Sequence, residues 1–76
     1  MNKARRKTIS NSLDELQATL PILKEALEHD KMVYDQISDD DDKESQASEL
    51  EDRIDNIESA ISSLEEAIQA LEQINL

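Results

Sequence analysis

The fold is decided by residues 47–75, which read ASELEDRIDNIESAISSLEEAIQALEQIN. Mostly apolar residues recur in this stretch at alternating steps of three and four, at Ala47, Leu50, Ile54, Ile57, Ile61, Leu64, Ile68, Leu71 and Asn75. Such a heptad repeat places all of its members on one face of an α-helix. We assign Ala47 to heptad position a and Leu50 to position d, and we call this face a packing seam.

The first half of the chain carries a second seam with the same spacing, formed by Ile9, Leu13, Leu16, Leu20, Leu23, Leu27, Asp30, Tyr34 and Ile37. Between the seams, residues 38–43 read SDDDDK. Adjacent carboxylates repel each other and Asp is a weak helix former, so the chain is expected to turn here. Each a residue then meets a d residue, as Leu27 meets Ile57. The sequence therefore predicts an all-α fold, a long antiparallel helical hairpin that is coiled-coil-like.

The hairpin is predicted to be a single domain with four segments. These are a basic, partly disordered N-terminal tip at 1–7, a first helix at 8–37, an acidic turn at 38–44 and a second helix at 45–75. Pro21 lacks a backbone N–H and is expected to kink the first helix near its own position. Ser45 or Ser48 is expected to cap the second helix.

One position of the first seam is occupied by a charged residue. Asp30 falls opposite Ile54 when the two seams are aligned, and Arg53 directly precedes Ile54. A carboxylate that faces an apolar seam needs a partner for its charge and its hydrogen bonds. The sequence therefore predicts a contact between Asp30 and Arg53 across the hairpin.

The chain is strongly acidic, with a formal net charge of −11, but the charge is unevenly distributed. Four of the eight basic residues form a basic tip, made of Lys3, Arg5, Arg6 and Lys7. The other four stand against nineteen acidic residues, so the body of the protein should repel nucleic acid and attract basic proteins. No direct nucleic-acid binding is expected. The basic tip is interpreted either as a contact with the acidic surface of a second copy or as a frayed terminus.

The sequence contains no pattern that is typical of a catalytic or cofactor site. His29 is the only histidine, and cysteine and glycine are absent. The acidic turn contains four consecutive aspartates, Asp39, Asp40, Asp41 and Asp42. It lacks the glycine that the sharp turn of a helix–loop–helix calcium site requires. We therefore predict no enzyme activity, no cofactor and no metal site. No apolar run approaches the roughly 18 residues of a membrane span, which predicts a cytoplasmic protein without a membrane partner.

The apolar surface of the predicted helices is wider than a two-helix seam requires. We call its flanking part the self-association stripe, which consists of Ile22, Ala26, Val33, Ala60, Ala67 and Ile74. A single hairpin would leave this stripe in water, whereas two hairpins paired as a four-helix bundle would cover it. The sequence therefore predicts a homodimer. The alternative is that a groove on another protein covers the stripe.

The second helix carries a row of carboxylates away from its seam, and we interpret this row as a candidate acidic binding face. It consists of Asp52, Asp55, Glu58, Glu65, Glu66 and Glu72. Carboxylates along a rigid rod can imitate the phosphates of a nucleic acid and occupy a basic cleft. Duplex DNA carries one charge per about 1.7 Å of its axis. The helix carries fewer charges per unit length, so any imitation would be partial. The alternative is that these residues serve solubility alone.

Three stretches of the chain resemble a group of small acidic two-helix proteins encoded in phages and prophages. They are residues 2–7 (NKARRK), residues 27–35, and residues 47–51 continuing through 67–72. The basic start and Tyr34 before the turn are the most telling similarities, whereas the aspartate run departs from the short Pro-containing turn of that group. The resemblance implies a bacterial host cell and a mobile-element context, in which small acidic proteins inhibit host defence enzymes.

Two functions follow as expectations. The first is a non-catalytic protein-binding module that inhibits a basic host defence protein, such as an anti-CRISPR or anti-restriction protein that mimics nucleic acid. The second is a structural or scaffolding module whose activity is oligomerisation. A salt-sensitive complex with a basic nuclease would favour the first, and a complex only with itself would favour the second.

Overall fold

Two long helices and a short turn make up the structure, a computed structural model that describes residues 2–74. Helix α1 spans Lys3–Ile37, helix α2 spans Glu44–Glu72, and a single 3-10 turn at Asp41–Lys43 leads into α2. The molecule measures 59 × 14 × 13 Å. Because α1 alone is about 52 Å long at 1.5 Å per residue, the helices must lie side by side rather than end to end. The predicted all-α helical hairpin is confirmed.

The two predicted seams form the contact between the helices. Every seam residue from Ile9 to Leu71 is buried or half-buried, whereas Asn75 lies outside the described residues. Leu27, Ile61 and Ile68 are the buried apolar residues, at 9%, 7% and 7% exposure. Outside the seams, only Lys31, Val33 and Ile74 are half-buried among the described residues. The heptad spacing therefore identified the packed surface of both helices, and the core that they form is thin.

Helix α1 begins five residues before the predicted start at Thr8. The side chain of Asn2 caps it, because Asn2 Oδ1 accepts a hydrogen bond of 2.8 Å from the backbone N–H of Arg5. The backbone N–H of Arg6 also donates to the carbonyl of Asn2 at 3.1 Å. Residues 3–7, which were predicted to form a partly disordered tip, are therefore helical in the structure.

The turn between the helices is shorter than predicted and is organised by Asp40. The carboxylate of Asp40 accepts a hydrogen bond of 3.0 Å from the backbone N–H of Asp42. The carbonyl of Asp40 accepts another, of 2.9 Å, from the N–H of Lys43. Ser45 and Ser48 lie inside α2, and no side chain caps that helix directly. The predicted serine cap is wrong because the 3-10 turn starts the helical path earlier.

Pro21 lies inside α1, which continues on both sides of it. Two residues earlier, the hydroxyl of Thr19 donates to the carbonyl of Glu15 at 2.9 Å. The expected bend near Pro21 stays a prediction. Helix α2 ends at Glu72, three residues before the predicted end at position 75, and Asn75 lies outside the described residues.

Candidate interaction surfaces

A buried carboxylate pairs with arginine across the hairpin. Asp30 occupies a d position of the α1 seam and is 6% exposed. Arg53 donates from Nε to Asp30 Oδ2 at 2.8 Å and from Nη2 to Oδ1 at 2.9 Å. This bidentate geometry matches the planar guanidinium to the planar carboxylate. The predicted contact between Asp30 and Arg53 is confirmed, and it sets the alignment of the two helices near the turn.

The protonation of Asp30 is controlled by this contact. The hydrogen bonds from Arg53 hold the pKa of the Asp30 carboxyl below its ordinary value, against the opposing effect of its burial. His29 makes a smaller contribution of the same sign, with its Nδ1 at 3.8 Å from Asp30 Oδ1. The pKa of Arg53 is raised in return, mainly by its hydrogen bonds to Asp30. Both side chains therefore stay charged at neutral pH.

The candidate acidic face is fully presented to solvent. Its six residues are exposed and occupy heptad positions b, e and f of α2. None of the six makes an ion pair with another side chain within residues 2–74. The facing e positions of α1 include Lys24 and Lys31, which also form no ion pair within the described part of the chain. The negative charge of this face is thus not neutralised inside the hairpin.

The self-association stripe lies on the other side of the seam. Ile22 is 66% exposed, and Ala26, Ala60 and Ala67 are also exposed, whereas Val33 and Ile74 are half-buried. Five of the six stripe residues occupy g positions, and Ile22 is at the adjacent c position. In an antiparallel pair, the g positions of both helices line one side of the seam and the e positions line the other. The hairpin therefore has a mainly apolar side, which Arg53 interrupts near the turn, and a side on which α2 presents carboxylates.

The two ends of the rod carry opposite charge. At one end, the basic tip forms the first turns of α1 and contains no acidic residue. Because Leu13 aligns with Leu71, the tip extends past the end of α2, and Lys3, Arg6, Lys7 and Ser10 line a shallow depression there. At the other end, Asp40, Asp41, Glu44 and Glu51 line a depression beside Tyr34. The acidic turn and the basic tip are thus separated by the length of the molecule.

One exposed hydrophobic residue was not singled out in the sequence. Met32 is 61% exposed and occupies an f position on the outer surface of α1, away from the self-association stripe. Its isolation from other apolar residues explains why the heptad pattern gave no signal for it. Single apolar residues are common on protein surfaces, so Met32 is a suitable control position for substitutions in the stripe.

The described residues show no cluster of side chains that could form a metal site. No three His, Asp or Glu side chains within residues 2–74 are placed to hold a metal ion. The His29 side chain is 75% exposed, and its Nδ1 lies 3.8 Å from Asp30 Oδ1. Neither helix, over the residues described, is long and apolar enough to cross a membrane.

Comparisons of the chain with models of protein families, with characterised proteins and with solved structures find no match.

Proposed function

We propose that this protein is a non-catalytic protein-binding module whose acidic face on α2 binds a basic protein. The observation that carries the proposal is that all six carboxylates of this face are exposed and form no ion pair within residues 2–74. A basic partner would supply the counter-charges that the hairpin itself does not supply. Charge complementarity of this kind raises the association rate and discriminates against acidic partners.

The partner that best fits the acidic face is a protein that handles nucleic acid. Helix α2 contains nine carboxylates in 29 residues, which is about one per 5 Å at 1.5 Å per residue. The spacing in duplex DNA is about 1.7 Å, so the rod offers a sparser charge to a cleft built for phosphates. Together with the resemblance to small acidic phage proteins, this supports an inhibitor of a host defence enzyme, such as a CRISPR nuclease or a restriction enzyme, acting in the bacterial cytoplasm.

We further propose that the active unit is a homodimer in which two hairpins form a four-helix bundle. The exposed self-association stripe supports this, because pairing would remove it from water while both acidic faces stay accessible. Sedimentation equilibrium of wild type should give twice the chain mass of 8.6 kDa. Ile22→Glu should give the mass of one chain. Met32 is similarly exposed but lies away from the stripe, so Met32→Glu should keep the mass of the dimer. A single mass for wild type would exclude the homodimer.

The inhibitor proposal is tested by DNA cleavage with purified CRISPR nucleases and restriction enzymes. Wild type should slow cleavage by at least one of them, with an inhibition constant that weakens as salt is raised. The double variant Glu65→Lys/Glu66→Lys should bind at least about tenfold more weakly, a loss of about 1.4 kcal/mol. Glu25→Lys/Glu28→Lys changes the net charge equally but lies on α1, and it should inhibit like wild type. Equal inhibition by both double variants would refute a role for the acidic face.

The second candidate function is a scaffolding module, which the exposed apolar stripe favours. In that case no tested enzyme is inhibited, and the chain captures only itself. Its melting temperature should then rise with protein concentration, because folding is linked to association. Glu65→Lys/Glu66→Lys would leave this association intact, since both residues lie away from the stripe.

A further inference from the structure

We infer that the two hairpins pair antiparallel, so that the basic tip of each copy lies against the acidic turn of the other. This inference rests on the proposed homodimer and adds its direction and its end contacts. The occupant of the self-association stripe is therefore a second copy of this chain. The stripe gives the contact area, and the charges at the two ends of the rod select the orientation.

The end charges distinguish the two ways of aligning identical rods. The basic tip and the acidic turn lie at opposite ends of a molecule 59 Å long. Charges in solution interact over roughly 10 Å at moderate salt, so each end responds only to the end beside it. A parallel pair would place tip against tip and turn against turn. An antiparallel pair places opposite charges together at both ends and thereby removes two repulsions.

The apolar stripe has an exposed large residue, Ile22, at the midpoint between these charges. Ile22 lies 19 residues after Lys3 and 19 residues before Asp41. A two-fold axis that passes beside Ile22, perpendicular to the rods, would place the tip of one copy next to the turn of the other. The same axis brings both Ile22 side chains together, and the small Ala26 and Ala60 beside them permit close helix packing. The positions of the apolar centre and of the two charged ends are thus mutually consistent.

The surface is large enough for a stable pair. A face 59 Å long and 14 Å wide has a projected area of about 800 Å² per copy. Specific protein–protein interfaces bury about that much surface on each partner. The self-association stripe covers the middle of this face, from the level of Ile74 to that of Val33, and the charged ends complete the contact along the rod. An end-to-end contact would bury far less surface.

Pulsed electron paramagnetic resonance on the full chain tests the direction. Cysteine is absent, so Arg5→Cys provides a single attachment point for a nitroxide spin label. Residue 5 is 17 residues from Ile22, so an antiparallel pair should show a label separation of about 50 Å at 1.5 Å per residue. A parallel pair should show about 20 Å, or two helix diameters. A separation of about 20 Å in a sample with the mass of a dimer would overturn only the antiparallel arrangement. A sample with the mass of one chain would overturn the pairing itself.

Charge neutralisation tests the end contacts independently of the label. Arg5→Glu/Lys7→Glu brings the net charge of the four basic tip residues from +4 to 0, and Asp41→Lys/Asp42→Lys brings that of the four aspartates from −4 to 0. In an antiparallel dimer each double variant should weaken association about tenfold, and their combination in one chain should cause little further loss, because both act on the same contact. In a parallel dimer each double variant would remove a like-charge repulsion and should strengthen association. Stronger association, or independent and additive losses from the two double variants, would overturn the tip-to-turn contact.

Discussion

Asp30 shows how a single residue can fix the alignment of two helices. Apolar heptads pack acceptably in several alignments, because a shift by seven residues again sets a against d. The bidentate contact of Asp30 with Arg53 exists only in the observed alignment. Replacing a buried ion pair by apolar residues is often neutral or stabilising. The pair therefore contributes mainly to the choice of helix alignment rather than to the free energy of unfolding.

Removal of Arg53 should destabilise the hairpin more than its exposed position suggests. Arg53→Ala leaves the carboxylate of Asp30 in the seam without its bidentate partner, which should lower the midpoint of thermal unfolding by several degrees. Asp30→Leu should instead raise this midpoint, because it completes the apolar seam opposite Ile54. Circular dichroism melts of both variants measure these shifts. An Arg53→Ala variant as stable as wild type would show that the contact contributes nothing.

The same pair should give the hairpin a defined pH dependence. The pKa of Asp30 is lower in the folded than in the unfolded chain. Its contribution is therefore complete above the ordinary aspartate value of about 3.9 and is lost as the pH falls through the lower folded value. The difference in stability between wild type and Asp30→Asn should shrink over that acidic range. Protonation of the other carboxylates affects both proteins alike, so a constant difference would contradict the assignment.

At the scale of the elements, sequence spacing predicted the seams but not the helix ends. The seam residues from Ile9 to Leu71 follow from heptad spacing alone, since burial on one helix face has a fixed period. The early start of α1 was missed because basic residues in a first turn oppose the helix dipole. The signal that could have revealed it is Asn2, a favoured capping residue. The heptad positions predicted which residues form each candidate surface. Whether those residues are exposed could be read only from the folded structure.

The acidic turn should respond differently to two neighbouring substitutions. Asp40→Ala removes the carboxylate that accepts from the backbone of Asp42, and loss of such a cap costs about 1 kcal/mol. Asp41→Ala removes one of four adjacent charges without breaking a hydrogen bond to a side chain, and it should be neutral or slightly stabilising. Urea unfolding of both variants measures the difference. Equal effects of the two substitutions would argue against a capping role for Asp40.

At the scale of the whole molecule, the hairpin is extended for its mass. Its surface of 5839 Å² compares with about 4,700 Å² for a compact monomer of 8.6 kDa. Its radius of gyration is 17.5 Å, whereas a compact chain of this length would have about 11 Å. Only three apolar residues are buried among residues 2–74, so the single hairpin has little core to oppose its conformational entropy. This shape favours a working unit in which a partner covers the apolar side.

The net charge should make the molecule more stable in salt. At −11, repulsion among carboxylates opposes the compact state, and salt screens that repulsion. Raising sodium chloride from about 0.02 to about 0.2 M, which shortens the screening length roughly threefold, should therefore raise the melting temperature. Glu25→Lys/Glu28→Lys reduces the charge to −7, since each substitution adds two, and should show a smaller salt effect. Melts repeated at several protein concentrations separate this screening from association, because only the contribution of association depends on concentration. A melting temperature that falls with salt would mean that local ion pairs, rather than net repulsion, dominate the electrostatics of the hairpin.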